Sequence, residues 1–123
     1  MKKGKIWGTS KEIFTKNNVS IHRIEIKKDS CCSKHYHKYK NNIFFVEKGK
    51  ILVRHWQNDY DLIDETILAE GEICNIPPCH YHQFIGLDDS IVYEIYYVEL
   101  LDNDIFRENC GSNKYEIYSN SKQ

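Results

Sequence analysis

Apolar and polar positions alternate along most of this chain. Between Val19 and Ile26, one face carries His22, Ile24 and Ile26 and the other Ile21, Arg23 and Glu25, the period-two signature of a half-buried strand. Ile43-Phe44-Phe45-Val46 is an apolar run short enough for a buried strand. Glu47-Lys48-Gly49-Lys50 reads as a hairpin turn, with Gly49 supplying positive φ, so Ile51 to Trp56 is expected as the return strand. Gln57 to Tyr60 is turn-like, and Asp61 to Leu68 permits a strand interrupted by polar residues. After a turn at Glu70-Gly71, Glu72 to Ile76 is a short strand stopped by Pro77-Pro78, because proline cannot donate to a ladder. Tyr81 to Ile85 and Ser90 to Glu99 complete the set, separated by Gly86-Leu87-Asp88-Asp89. Strands spaced at roughly ten residues with turns between them predict an all-β sandwich or barrel. Ahead of residue 19 only Ile6-Trp7-Gly8 stands out, as a short apolar anchor. Past Leu101 the pattern fades into a helical turn opening at Asp102-Asn103-Asp104-Ile105 and a polar tail from Gly111 to Gln123. The expectation is one domain over 1–123, with a barrel core over about 19–100 and a C-terminal segment over 101–123.

Composition narrows the function classes. The 17 basic and 18 acidic side chains leave a formal charge of −1, and the lysines are scattered among acids, so no net field draws nucleic acid or an anionic membrane. No run approaches the roughly 18 apolar residues of a membrane span. The Met-Lys-Lys-Gly-Lys start turns polar again by Thr9, without the apolar centre of an export signal. Five cysteines, an odd number, fit free thiols in a reducing, cytoplasmic setting. Their spacings match no zinc-knuckle pattern, so Cys31, Cys32, Cys74, Cys79 and Cys110 read as packing or incidental thiols.

Histidines carry the candidate chemistry. His35 and His37 are one residue apart and project from one face of an extended segment. A third imidazole from Pro77-Pro78-Cys79-His80-Tyr81-His82, brought alongside by a neighbouring strand, would give three ligands and an open position, the catalytic arrangement of a borderline metal. His22 and His55 read as structural, and the run Tyr93, Tyr96, Tyr97 as packing or a dimer face.

These motifs resemble those of the cupin family. His35-x-His37, then Asn42 after four residues and Gly49 after six more, follow the first cupin motif, with Asn42 in the place of its acidic residue. Gly71, Pro77, Cys79 in a glycine place and His82 follow the second. More narrowly, Ile6-Trp7-Gly8, Ile21-His22-Arg23-Ile24, Tyr93-Glu94-Ile95 and Asp102-Asn103-Asp104-Ile105-Phe106-Arg107 are similar to the C-terminal cupin domain of type II mannose-6-phosphate isomerases. The resemblance spans roughly residues 5 to 111. It implies a double-stranded β-helix, the jelly-roll barrel, with His35, His37 and His82 on one divalent ion. Zinc is the first choice for that ion, with manganese, cobalt, nickel or iron as alternatives.

The implied activity is aldose–ketose isomerisation of a sugar phosphate, mannose 6-phosphate to fructose 6-phosphate first. Such chemistry needs a proton shuttle, for which Glu94, His80 and His22 are the candidates according to which of them point into the barrel, and a phosphate partner. Arg107 fits the second role through its bidentate guanidinium, with Asn42 as a further substrate contact. Two other readings stay open: a non-catalytic cupin that holds a sugar or nucleotide-sugar, and another cupin enzyme such as a three-His dioxygenase or a nucleotide-sugar isomerase. A homodimer paired through sheet edges is the expected assembly.

Overall fold

The structure is a computed structural model that describes residues 2–98 and 110–114. The described residues form nine strands and no helix: β1 (Lys2–Lys5), β2 (Gly8–Lys16), β3 (Val19–Ile26), β4 (Asn41–Lys48), β5 (Ile51–Trp56), β6 (Leu62–Leu68), β7 (Ile73–Ile76), β8 (Tyr81–Gly86) and β9 (Ser90–Tyr97). They make two antiparallel sheets, one in the order β1-β2-β3-β9-β4-β7 and the other in the order β6-β5-β8. This is the all-β architecture that the alternating pattern predicts, in the jelly-roll form that the resemblance implies.

Period-two alternation puts one row of side chains from each sheet inside. From the larger sheet come Ile24, Ile26, Phe44, Val46 and Val92, and from the smaller Ile51, Val53, Leu68 and Phe84, all essentially buried. Each such side chain contributes about 1.5–3 kcal/mol on burial, and the closed interior holds the strand registers. The inward row of β3 is His22, Ile24, Ile26, as its sequence indicates, and continues β9's row of Ser90, Val92, Glu94 and Tyr96 through direct cross-strand pairing.

Two expectations need correction. The turn at Glu47–Lys50 does not close a hairpin, because β4 pairs with β7 and β9 whereas β5 pairs with β6 and β8. It passes the chain from one sheet to the other. Gly49 does take a positive φ of 92°, and a Cβ there would sit 2.4 Å from Ser90 Oγ and 2.6 Å from the Asp89 carbonyl oxygen. Local apolar runs cannot distinguish a hairpin from a crossover, since strands in both sheets bury alternate residues in the same interior. The second correction concerns the N-terminal residues, where β1 and β2 extend the larger sheet past β3. Most of β2 is exposed, so it lacks the alternation that marks a half-buried strand.

No helix among the described residues is long and apolar enough to cross a membrane. All five cysteines are free thiols. The expected helical turn at 102–105, Arg107 and most of the polar tail lie outside the described residues.

Candidate metal centre

The two histidine motifs are joined by main-chain pairing. His35 N–H donates to the His82 carbonyl at 3.1 Å and His82 N–H to the His35 carbonyl at 2.8 Å, while Cys79 N–H donates to the His37 carbonyl at 2.7 Å. The segment carrying His35 thus lies beside β8 as a further, irregular strand, with a second bridge at Cys31–Ile85. Cys79 takes a positive φ of 68° in the turn before β8, a conformation that a glycine adopts without strain.

This pairing brings His35, His37 and His82 together. Their rings stand 4.5 to 5.3 Å apart between centroids, and one ligating nitrogen from each lies within 4.8 Å of the others. The hydrogen bonding fixes which nitrogens face inward. His35 Nδ1 is 2.8 Å from the Ser33 carbonyl, and His82 Nδ1 is 3.3 Å from the His80 carbonyl. An Nδ1–H donated to a carbonyl leaves the Nε2 lone pair free, the tautomer that a metal ligand needs. His37 Nε2 and His82 Nε2 are buried with no hydrogen-bond partner. Burial, followed by the neighbouring His35, pushes both imidazoles down to about pH 4, so both rings are neutral at pH 7. Buried polar atoms without partners are costly and rare, and two neutral imidazole nitrogens in that state fit a divalent cation.

Asn42 supplies a third such atom. It is fully buried on the inward row of β4, and its Oδ1 has no partner. It sits directly across the ladder from Tyr96, whose ring is 5.1 Å from that of His37. A buried, unpartnered neutral oxygen on the inward row of β4 therefore stands at the position that the sequence spacing marks.

Glu94 lies in the same interior. A cavity of about 300 Å³ is lined by His35, Glu94, Tyr96, His22, Cys32 and Trp7, among others. The Glu94 carboxyl accepts hydrogen bonds from Tyr96 and Asn42, and burial outweighs them to raise its pKa to about 7. His80 is placed differently. Its Nδ1 is 2.7 Å from His55 Nε2, and its carbonyl, rather than its ring, bears on His82.

Sequence reasoning missed three cavity residues, Tyr96, Cys32 and Trp7, and read a fourth, His22, mainly as structural. Tyr96 is two residues from Glu94 on the same strand, so period two alone places it on Glu94's face, inside, and its role is wider than packing. His22 shares the inward row with Ile24 and also lines the cavity. Cys32 is a core thiol whose Sγ accepts from Phe84 N–H at 3.2 Å, and Trp7 packs edge-on against Phe84 at 5.0 Å. The local sequence marks Trp7 only as an apolar anchor and Cys32 only as a packing thiol, because long-range closure puts them at the cavity.

No family model and no curated protein matches the chain by sequence. Among solved structures it is similar to KdgF from Halomonas sp., with a TM-score of 0.69 at 15% identity over 81% of this chain and 89% of that one. It is similar also to the capsular polysaccharide assembling protein CapF from Staphylococcus aureus, with a TM-score of 0.69 at 24% identity over 85% of this chain and 32% of CapF. The Cnp3 cupin domain of Schizosaccharomyces pombe gives 0.65 at 14% identity over 77% of this chain and 67% of that one. These likenesses do not single out the mannose-6-phosphate isomerase domain. At such identities they speak for architecture alone, and together with the two-sheet antiparallel barrel they give this chain the cupin fold.

Proposed function

We propose that this protein is a metal-dependent isomerase of a sugar phosphate, acting on mannose 6-phosphate and fructose 6-phosphate first. The observation that carries the reading is the presence of a three-imidazole cluster and a buried carboxyl in one interior. The similarity to CapF, a capsular polysaccharide assembling protein, supports a carbohydrate role. His35, His37 and His82 would hold the cation, with Asn42 Oδ1 beside them. When bound, a divalent cation polarises the sugar carbonyl and stabilises negative charge that develops on its oxygen.

The chain's own residues do the rest. Glu94 takes a proton from the carbon next to the carbonyl and returns it to the former carbonyl carbon, while a second proton moves between the two oxygens. A carboxyl held near pH 7 by burial is well matched to that exchange at neutral pH. Tyr96 and Asn42 fix its orientation through their hydrogen bonds. Trp7 and Phe84 form an apolar wall on one side, which limits water around the reacting carbons.

The test loads the purified protein with zinc, manganese, cobalt, nickel or iron and follows both hexose phosphates by NMR in deuterated water. Interconversion with deuterium incorporation at C1 of fructose 6-phosphate and C2 of mannose 6-phosphate, lost in Glu94→Gln, is the expected result. A protein that binds the metal yet neither interconverts the sugars nor exchanges the proton refutes the isomerase. The neutral Asn42 in an acidic residue's place favours one second reading, a holder of the same ligand without turnover. That protein would gain thermal stability from hexose phosphate by mass action and catalyse nothing.

A further inference from the structure

The inner face of the N-terminal hairpin carries two lysines, with Glu12 as the acidic residue in the groove beside them. In β1, Lys3 pairs directly with Ser10, and Ser10 pairs in turn with Ile24, a fully buried core residue. Cross-strand partners share a face, so Lys3, and with it Lys5 two residues on, sits on the barrel side of the hairpin. Lys2 sits on the other side, where its Nζ is 3.2 Å from Glu25 Oε1. Neither Lys3 nor Lys5 has an ion pair among the described residues. Beside them a groove of about 310 Å³ is lined by Lys3, Lys5, Ser10, Glu12 and His22. Lys5, Ser10 and His22 also line the cavity that holds His35 and Glu94, so groove and cavity meet. Their joint size suits a ligand larger than a bare ion.

Charge gives the ligand its class. Lys3, Lys5 and Lys40 all lie close enough to His22 to disfavour its protonation, after burial, and only Glu12 opposes them there. Lys40 Nζ stands 4.4 Å over the ring of Tyr96, a cavity residue. Three ammonium groups thus face Glu12 at the groove and Glu94 deeper in, leaving a positive excess. His22 Nε2 is held by Ser20 Oγ at 2.8 Å, so Nδ1 is the ring nitrogen left for a ligand. Two flexible ammoniums, a hydroxyl and an imidazole offer several donors to one small, multiply charged group, which suits a tetrahedral phosphoryl dianion better than a planar carboxylate.

We propose that Lys3, Lys5, Ser10 and His22 form the subsite for the phosphoryl group of a sugar phosphate whose sugar end reaches the His35–His37–His82 cluster. The inference rests on the sugar-phosphate reading of that cluster and names the phosphate contacts among the described residues, outside which Arg107 lies. It also gives the edge strand β1 a purpose that core packing does not, since every residue of β1 is exposed.

The test uses imidazole NMR of the metal-free full chain at constant ionic strength, titrated with inorganic phosphate, mannose 6-phosphate or mannose. Saturable movement of the His22 signals is expected with mannose 6-phosphate, weaker movement with inorganic phosphate, and none with mannose. The double variant K3Q/K5Q should weaken mannose 6-phosphate at least tenfold, and K2Q should leave it unchanged. These side chains are exposed, so the variants keep the core. A silent His22, equal response to mannose, equally tight inorganic phosphate, undiminished binding by K3Q/K5Q, or equal weakening by K2Q each overturns the subsite. Because neither metal nor turnover enters this measurement, an inactive protein leaves the subsite standing. Conversely, an active isomerase whose KM ignores K3Q/K5Q removes the subsite and keeps the isomerase.

Discussion

Replacing His37 with leucine separates a metal ligand from a structural histidine. In the metal-free protein His37 Nε2 is buried without a partner. Leaving such an atom unsatisfied costs on the order of 1–3 kcal/mol. His37→Leu removes that penalty and adds apolar burial, against a repacking cost beside Tyr96 and His82 of under about 1.5 kcal/mol for a similar volume. The metal-free variant should therefore be as stable as wild type, or more stable by about 1 kcal/mol. Zinc should then reverse the order. At a hundredfold excess over Kd, zinc adds about 2.7 kcal/mol to wild type, which for a chain of this size raises Tm by roughly 8–16 °C. The variant, left with two imidazoles, should respond by less than about 2 °C. Scanning calorimetry after chelator treatment, with and without zinc, measures both quantities. A metal-free variant destabilised by about 3 kcal/mol or more would mark the ring as structural. A wild type indifferent to zinc would refute the metal centre itself.

Three further outcomes follow from burial and backbone geometry. The Glu94 carboxyl, raised in the fold to about 7 from an ordinary 4.5, keeps its proton longer when folded than when unfolded. Its contribution to stability is full below pH 4.5 and is lost as pH rises through 7. Metal-free wild type should thus lose roughly 3 kcal/mol relative to Glu94→Gln across that window, and parallel denaturation curves for the two proteins would refute the assignment. Cys32 and Cys74, held up to about 12 and 11 mainly by burial, should resist iodoacetamide in the native protein at pH 8. Exposed Cys31, Cys79 and Cys110 should be alkylated first, as read by peptide mass spectrometry. Gly49→Ala meets both a positive φ of 92° and the Ser90 backbone at 2.8 Å, so urea denaturation should show a loss of at least about 2 kcal/mol.

The histidine cluster was legible because its signal is local. His35-x-His37 needs only strand alternation, and His82 follows a proline stop that forces a turn before β8. The inward row of β3 was readable for the same reason, whereas the continuous run Ile43-Phe44-Phe45-Val46 marked a buried strand without showing that Phe44 and Val46 form its inner row. What escaped depends on which sheet a strand joins. The alternation of β4 and β5 is identical whether they pair with each other or face each other across the interior, so the crossover at Gly49 left no mark. The exposed β2 carries almost no burial pattern, so the lysines of β1 could not be placed relative to the cavity. Tyr96 is the exception, since its face follows directly from that of Glu94.

The neutral set around the proposed ion has a consequence that Asn42→Asp exposes. Three imidazoles and an amide leave a dication's charge uncompensated by its own ligands, and Lys5 and Lys40 add to the positive field at Glu94. A low-dielectric interior amplifies that imbalance. Such a site binds its metal more weakly than one with a carboxylate, and it holds an anionic ligand better. Asn42→Asp puts a charged oxygen where the unpartnered Oδ1 now lies, so zinc affinity should rise at least tenfold, about 1.4 kcal/mol. The metal-free variant should lose stability at pH 7, because two carboxyls would then share one buried hydrogen-bonded position. Affinity for mannose 6-phosphate should fall as the cavity loses positive charge. Competition of a chromophoric chelator for zinc reads the first effect and thermal unfolding the second. Unchanged zinc affinity would place the Asn42 amide away from the ion and leave three imidazoles to hold it alone.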